Sequence, residues 1–193
     1  MGYSYTVFAV DLKALRKVWG KGKKNSDLLE EIREDQEDRI ADNYESFEEE
    51  IIEGGAPVVG RAIYEIFAGK PEKRQHGFQY GYALEMIVRQ LGECVGEELS
   101  WFDEFLDPLL KKARCPDTEA MMGRGVLPLK IPMPNDFPEI GTVEPAGCIA
   151  AIGALATIRP MTKDDDTLAI IDEVRGWFES AKKQKRGLVW FIY

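Results

Sequence analysis

Two short apolar runs at opposite ends of the chain restrict its folding more than anything between them. Tyr3-Ser4-Tyr5-Thr6-Val7-Phe8-Ala9-Val10 opens the sequence and Leu188-Val189-Trp190-Phe191-Ile192-Tyr193 closes it. Aromatic and β-branched residues at this density fit a pleated, buried surface, so both runs read as strands. The closing run holds no charged residue, and left as an open edge it would template aggregation. Each strand is the natural partner of the other. The body between them must therefore fold so that residues 3–10 and 188–193 become sheet neighbours.

That body reads as mostly helical. Asp11 caps a short helix, Leu12 to Trp19, stopped by Gly20 and Gly22. After Asn25-Ser26, apolar residues at Leu28, Ile32, Ile40, Tyr44, Phe47 and Ile51 form one stripe, which predicts a single long helix ending at Gly54-Gly55. Pro57 suits the first turn of the next helix, whose Val58/Ala62/Ile66 and Val59/Ile63/Phe67 rows are four apart. A polar loop from Gly69 to Gly77 leads to a helix over Tyr80 to Leu91. Helical spacing is also present over Glu97 to Leu106, with a restart at Pro108 running to Arg114.

From Cys115 to Glu144, five prolines and three glycines break regular structure, leaving a stiff connection with an edge strand at Leu127 to Ile131. Pro145 starts a small-residue helix. Asp164 to Asp166 cap a last one, with Leu168, Ile171, Val174, Trp177, Phe178 and Ala181 inward and Lys182, Lys183, Lys185 and Arg186 at its C-terminal end. The fold class expected is α+β: a mostly helical single domain, residues 1–193, with a small sheet joining the terminal strands. At 193 residues such a chain buries roughly 70 % of its unfolded surface.

Charge narrows the partners. A net charge of −9 argues against nucleic acid and anionic membranes, which attract a Lys/Arg excess. Residues 11–24 carry about +5, and from Asp27 to Glu53 thirteen carboxylates face two arginines, a net −11 in one segment. Pairs such as Glu34/Asp38 and Glu45/Glu49 bind metals or activate water in other settings. Here they alternate with the apolar stripe and so face water, where a solvated face is the ordinary outcome and recognition of a basic protein partner the specific one.

Catalytic signatures are missing. His76 is the one histidine and sits in the polar loop; no serine lies in a G-x-S-x-G elbow, and no glycine-rich phosphate loop links a strand to a helix. Cys94, Cys115 and Cys148 are too widely spaced for a zinc site or disulfide framework and read as reduced, mostly buried thiols. No catalytic residue, metal or cofactor is expected. No apolar run reaches 18 residues and Met1 to Val10 lacks the features of a secretory leader, which predicts a cytoplasmic protein.

Gly123-Arg124-Gly125 reads as a turn presenting one arginine, and Pro134-Asn135-Asp136-Phe137-Pro138 sets an aromatic between prolines, for packing or for recognition. The candidate partner-binding residues are thus Glu34, Asp38, Asp42, Glu45, Glu49, Arg124, Asp136 and Phe137. The rival is a small hydrolase or nucleotide-handling enzyme built on the His76, Arg124 and Asp136 loops, which requires a pocket where they converge. A third reading is a homo-oligomer with self-complementary exposed aromatics.

The segments A-V-D-L-K-A-L (9–15), H-G-F-Q-Y-G-Y-A-L-E (76–85), M-G-R-G-V-L-P-L-K-I-P (122–132), N-D-F-P-E-I-G (135–141) and W-F-x-x-A-x-x-x-x-x-G-L-V-W-F-I-Y (177–193) together resemble an uncharacterised bacterial domain family. The strand-Asp opening and helix-Gly-strand ending are also remotely similar to the YfbM-like family of small α+β proteins. The resemblance implies terminal strands joined in a small sheet against helices, and no established reaction. Members of both groups resemble proteins found beside toxin and contact-inhibition systems, which implies an immunity or interaction role. The acidic stretch Glu30 to Glu53 is longer and more charged here than in that pattern.

Overall fold

The computed structural model describes residues 4–22, 25–99 and 102–193. Tyr3, Lys23, Lys24, Ser100 and Trp101, all used in the sequence reading, lie outside them. The architecture is α+β, with the chain forming two compact units.

The first unit comprises the described residues through Leu12, then 92–126 and 140–193. Its strands are β1 (Tyr5–Val10), β2 (Gly92–Leu99), β3 (Glu139–Val143) and β4 (Gly187–Ile192), in the sheet order β2-β1-β4-β3. The terminal strands pair as their composition demanded: β1 runs antiparallel to β4 with Tyr5 opposite Ile192 and Val10 opposite Gly187. Ser4 and Tyr193 then exchange both backbone hydrogen bonds, each 3.2 Å. All six residues of β4 are buried.

Helices α7 (Phe102–Ala113), α8 (Thr118–Met122), α9 (Pro145–Ile158) and α10 (Asp165–Lys183) complete this unit. Asp164 caps α10, accepting from the Thr167 amide at 2.9 Å. Burial of Ile171, Val174, Trp177, Phe178 and Ala181 turns one face of α10 onto the sheet. Trp177 meets Phe102 edge-on at 5.8 Å between ring centres. Its indole passes over Gly96 so closely that a β-carbon there would collide with it.

Two sequence expectations fail in this unit, and a third in residues 127–131, which belong to the other. Glu97 to Leu106 is not one helix: β2 occupies Gly92–Leu99 and pairs antiparallel with β1. Its two glycines and three glutamates disguise it, yet Gly96 is what admits Trp177. Pro108 starts nothing, because α7 runs through it from Phe102 to Ala113. The strand expected at Leu127 to Ile131 is also absent; Pro128 and Pro132 lack ladder amides, and Leu129 and Ile131 serve as buried anchors instead. The strand of this region is β3, immediately after Pro138, and α8 was not foreseen.

The second unit holds residues 13–91 and 127–139. Most of α1 (Leu12–Val18) belongs to it, with α2 (Ser26–Asp35), α3 (Glu37–Ser46), α4 (Glu48–Ile52), α5 (Val59–Ala68) and α6 (Gly77–Leu91). α5 packs on α6, α2 packs on both, and α3 lies on α5. The pattern of α5 holds except at Val58, which precedes the helix as its N-cap and is exposed: Val59, Ala62, Ile63, Ile66 and Phe67 are buried, and Gly69 ends the helix at φ 69°.

The single long acidic helix is corrected to three helices. Gln36 (φ −112°, ψ 18°) and Phe47 (φ −126°, ψ 28°) leave helical geometry and separate α2 from α3 and α3 from α4. Gln36 falls in the gap between Ile32 and Ile40, where its side-chain carbonyl is buried. The break resets the helix phase, so Asn43 turns inward and Tyr44 outward, the reverse of the expected stripe. The proline-rich segment 127–139 is likewise less exposed than expected. Gly81 lies under the rings of Pro134 and Pro138, where a β-carbon would come within 3.0 to 3.1 Å of ring atoms. The cysteines also depart from a mostly buried set: Cys148 is buried, Cys115 half-buried and Cys94 exposed, all three free thiols.

Candidate functional site

Packing α2 and the start of α3 against α5 leaves an open groove of about 850 Å³ in the second unit. One wall is the outer face of α2 and the first turns of α3, with Leu29, Glu30, Arg33, Glu34, Glu37 and Ile40. Glu30 and Glu34 stand one turn apart on α2, at the spacing that brings neighbouring carboxylates together, and Glu37 opens α3 beyond the break at Gln36. The opposite wall is the outer edge of α5, with Val58, Gly60, Arg61 and Tyr64. Gly60 is what leaves room there: a β-carbon on it would meet only Ile40, at 4.0 Å. Tyr64 is 62 % exposed and Val58 38 %, high for large apolar side chains.

Beside the groove a polar network fixes α5 to the loop that follows it. The Glu65 carboxylate is 4 % exposed. It accepts from the Arg61 Nε at 2.8 Å, from the Glu72 amide at 2.9 Å and from the Tyr80 hydroxyl. Tyr80 in turn accepts from the Lys73 amide at 3.0 Å, and Arg61 also pairs with Glu72. Burial alone would push the Glu65 carboxyl up. The Glu72 amide, the Tyr80 hydroxyl and the Arg61 guanidinium outweigh it and hold the group below its ordinary value of 4.5. Burial, then the bond to Glu65, pushes the Tyr80 hydroxyl up to about 12, so it stays a donor across the physiological range.

A folded-state carboxyl held low stabilises the protein above its unfolded value and loses that contribution as pH falls through its folded value. Wild-type stability should therefore fall below about pH 4.5 more steeply than that of Glu65→Gln, measured by chemical denaturation across pH. At pH 7 the same variant should cost about 1.5 to 3 kcal/mol, the worth of a charge-assisted buried bond. Equal stability at pH 7 and parallel pH profiles would show that the network is not ionic.

Of the residues singled out in the sequence, Glu34 lines the groove. Asp38, Asp42 and Glu45 on α3 and Glu49 on α4 are exposed on the same unit. Asp136 is exposed and Phe137 half-buried in the proline-rich segment, also in this unit. Asp136 is close enough to add to the effects of burial and Glu85 that push the Tyr82 hydroxyl up to about 12. Arg124 is exposed in the first unit, bridged through its backbone to Gly141, and so belongs to a different body from His76 and Asp136. His76 packs edge-on near Phe78, ring centres 6.2 Å apart.

Glu34 is the one candidate that lines the groove; the rest of its lining, including Ile40, Val58, Gly60, Arg61 and Tyr64, was not singled out as a site in the sequence. Tyr64 left a signal, for it belongs to neither inward row of α5 yet is aromatic. The first unit has a smaller cleft of about 310 Å³ between α8, β3 and α9, lined largely by Gly147, Ala150, Ala151 and Ala154. Among the described residues no three His, Cys, Asp or Glu side chains are placed to hold a metal ion, and no helix is long and apolar enough to cross a membrane.

No curated protein and no solved structure matches the chain. One family model does, over residues 1–193, and the chain accordingly belongs to the family described as the domain of unknown function DUF7691.

Proposed function

We propose that this chain is a non-enzymatic protein-binding module of the immunity type, which neutralises a basic toxin or effector through the acidic face of α2, α3 and α4. The observation that carries this reading is that the face is exposed and left unneutralised. Among the described residues, no ion pair engages Glu34, Asp38, Asp42, Glu45 or Glu49. Surface carboxylates kept only for solubility are usually interspersed with lysine and arginine. A one-signed field of this density instead speeds encounter with a cationic surface and rejects anionic ones.

The resemblance of the A-V-D-L opening and the G-L-V-W-F-I-Y ending to bacterial proteins found beside toxin systems supports the same role. Three free thiols suit a reducing compartment, and the reading places the protein in the bacterial cytoplasm.

The test replaces Glu34, Asp38, Asp42, Glu45 and Glu49 by lysine and measures affinity for the basic protein encoded beside it. Reversal of five charges on one face should weaken binding by about 100-fold or more at low salt. The wild-type affinity should itself fall as ionic strength rises. An unchanged affinity in the reversed variant at low salt overturns the reading.

A further inference from the structure

We infer that the occupant of the groove between α2 and α5 is a lysine- or arginine-rich amphipathic helical segment of a partner protein, seated with its apolar face on Tyr64. This rests on the protein-binding reading above and names the place and the shape of what is bound.

Charge selects the sign of the occupant. Glu30, Glu34 and Glu37 stand along the α2 side of the groove against Arg33. On the other wall Arg61 is already answered from within the unit, by Glu65 at 2.8 Å and by Glu72. A phosphate-bearing or otherwise anionic ligand would meet these carboxylates without a free counter-charge on the α5 side. A cationic one meets Glu30 and Glu34 one turn apart, the interval at which a helix laid alongside presents its own lysines or arginines, with Glu37 next along the wall at the start of α3.

Backbone chemistry selects the shape. An extended peptide gains its affinity by pairing main-chain groups with an open sheet edge, and both walls here are helices whose interior amides and carbonyls bond within the helix. What the walls offer is side chains: Leu29, Ile40, Val58 and the ring of Tyr64 all line the groove. Apolar contacts along a groove between two helices suit anchors spaced three and four residues apart on a third helix. Tyrosine, with tryptophan and arginine, is enriched among the residues that anchor such contacts, because its large ring costs little conformational entropy to hold still.

The test titrates the full chain against two labelled peptides of about 16 residues, built from the same leucines and lysines and read by fluorescence anisotropy at low salt. One orders them as an amphipathic helix; the other scrambles the order at identical charge. The amphipathic peptide should bind at least about tenfold more tightly. Tyr64→Ala should remove that advantage and leave the scrambled peptide's affinity unchanged. Gly60→Leu, which raises a side chain into the groove from a position with open space above it, should do the same, and circular dichroism melts report that both variants stay folded. Equal binding of the two peptides, unaffected by either substitution, would overturn the groove while leaving the acidic-face reading standing. If neither peptide binds, both readings fall together.

Discussion

A chain ending at Gly187 is expected to show no cooperative unfolding transition at all. The six residues it lacks are most of β4, which lies between β1 and β3 in the sheet. Leu188, Val189, Trp190 and Phe191 are at most 1 % exposed and Ile192 7 %. Burying five such side chains is worth about 1.5 to 3 kcal/mol each, and domains of ordinary size are stable by only about 5 to 15 kcal/mol in total. The truncation removes most or all of that margin and also strips β1 of its ladder on one side. Calorimetry and the dispersion of amide proton resonances would report it. A truncated chain with an intact melting transition would mean that the sheet is held by its helices alone. Removing Tyr193 by itself, whose loss costs one pair of backbone bonds to Ser4, should lower the transition by only a few degrees.

Gly141→Ala carries the second large effect. Gly141 lies in β3 beneath the indole of Trp190, and a β-carbon at this position would fall inside the ring's van der Waals envelope. The ring is not free to step aside, because its Nε1 donates to the Met122 carbonyl at the end of α8 and both residues are buried. A single methyl should therefore cost about 1 to 3 kcal/mol, the range for overpacked cores whose backbone must shift. A double-mutant cycle checks the mechanism. Trp190→Leu alone leaves a cavity, but combined with Gly141→Ala it should be less destabilising than the sum of the two changes. Strict additivity would show that the glycine is needed for some other reason.

How much of this was legible in the residues depends on whether an element's surroundings are encoded in its own composition. The two terminal strands were, since L-V-W-F-I-Y has no stable placement except between neighbours. α5 and α10 were as well, because their apolar rows repeat at helical spacing and face one core. β2 was not: G-E-C-V-G-E-E-L has glycine and glutamate where a strand usually carries branched side chains, and its fitness comes from β1 beside it and Trp177 above it. The acidic segment misled in a different manner. Its apolar stripe is genuine on either side of Gln36, but periodicity across a one-residue break is still periodicity, and only the exposure of Tyr44 and burial of Asn43 reveal the change of phase.

The candidate site divides along the same line. That the acidic stretch would face water followed from alternation with apolar residues, and Glu34 was already among the residues named. The groove beside it was hidden, because a groove is set by what a neighbouring helix leaves uncovered. Gly60 and Tyr64 are unremarkable in a sequence and line a groove only once α2 lies across from them.

The sheet order also sets a timetable for the nascent chain. β1 is made before both strands it pairs with, and β4, on one of its edges, is made well after β2. Its other partner, β2, is synthesised midway, after the helices α1 to α6. During elongation Thr6 to Val10 thus waits with both edges open, then with one, until β4 has been made. The sequence must remain soluble through that interval with an apolar strand unpaired, which makes the speed of translation past β2, and any chaperone that holds β1, a determinant of how much native protein a cell obtains.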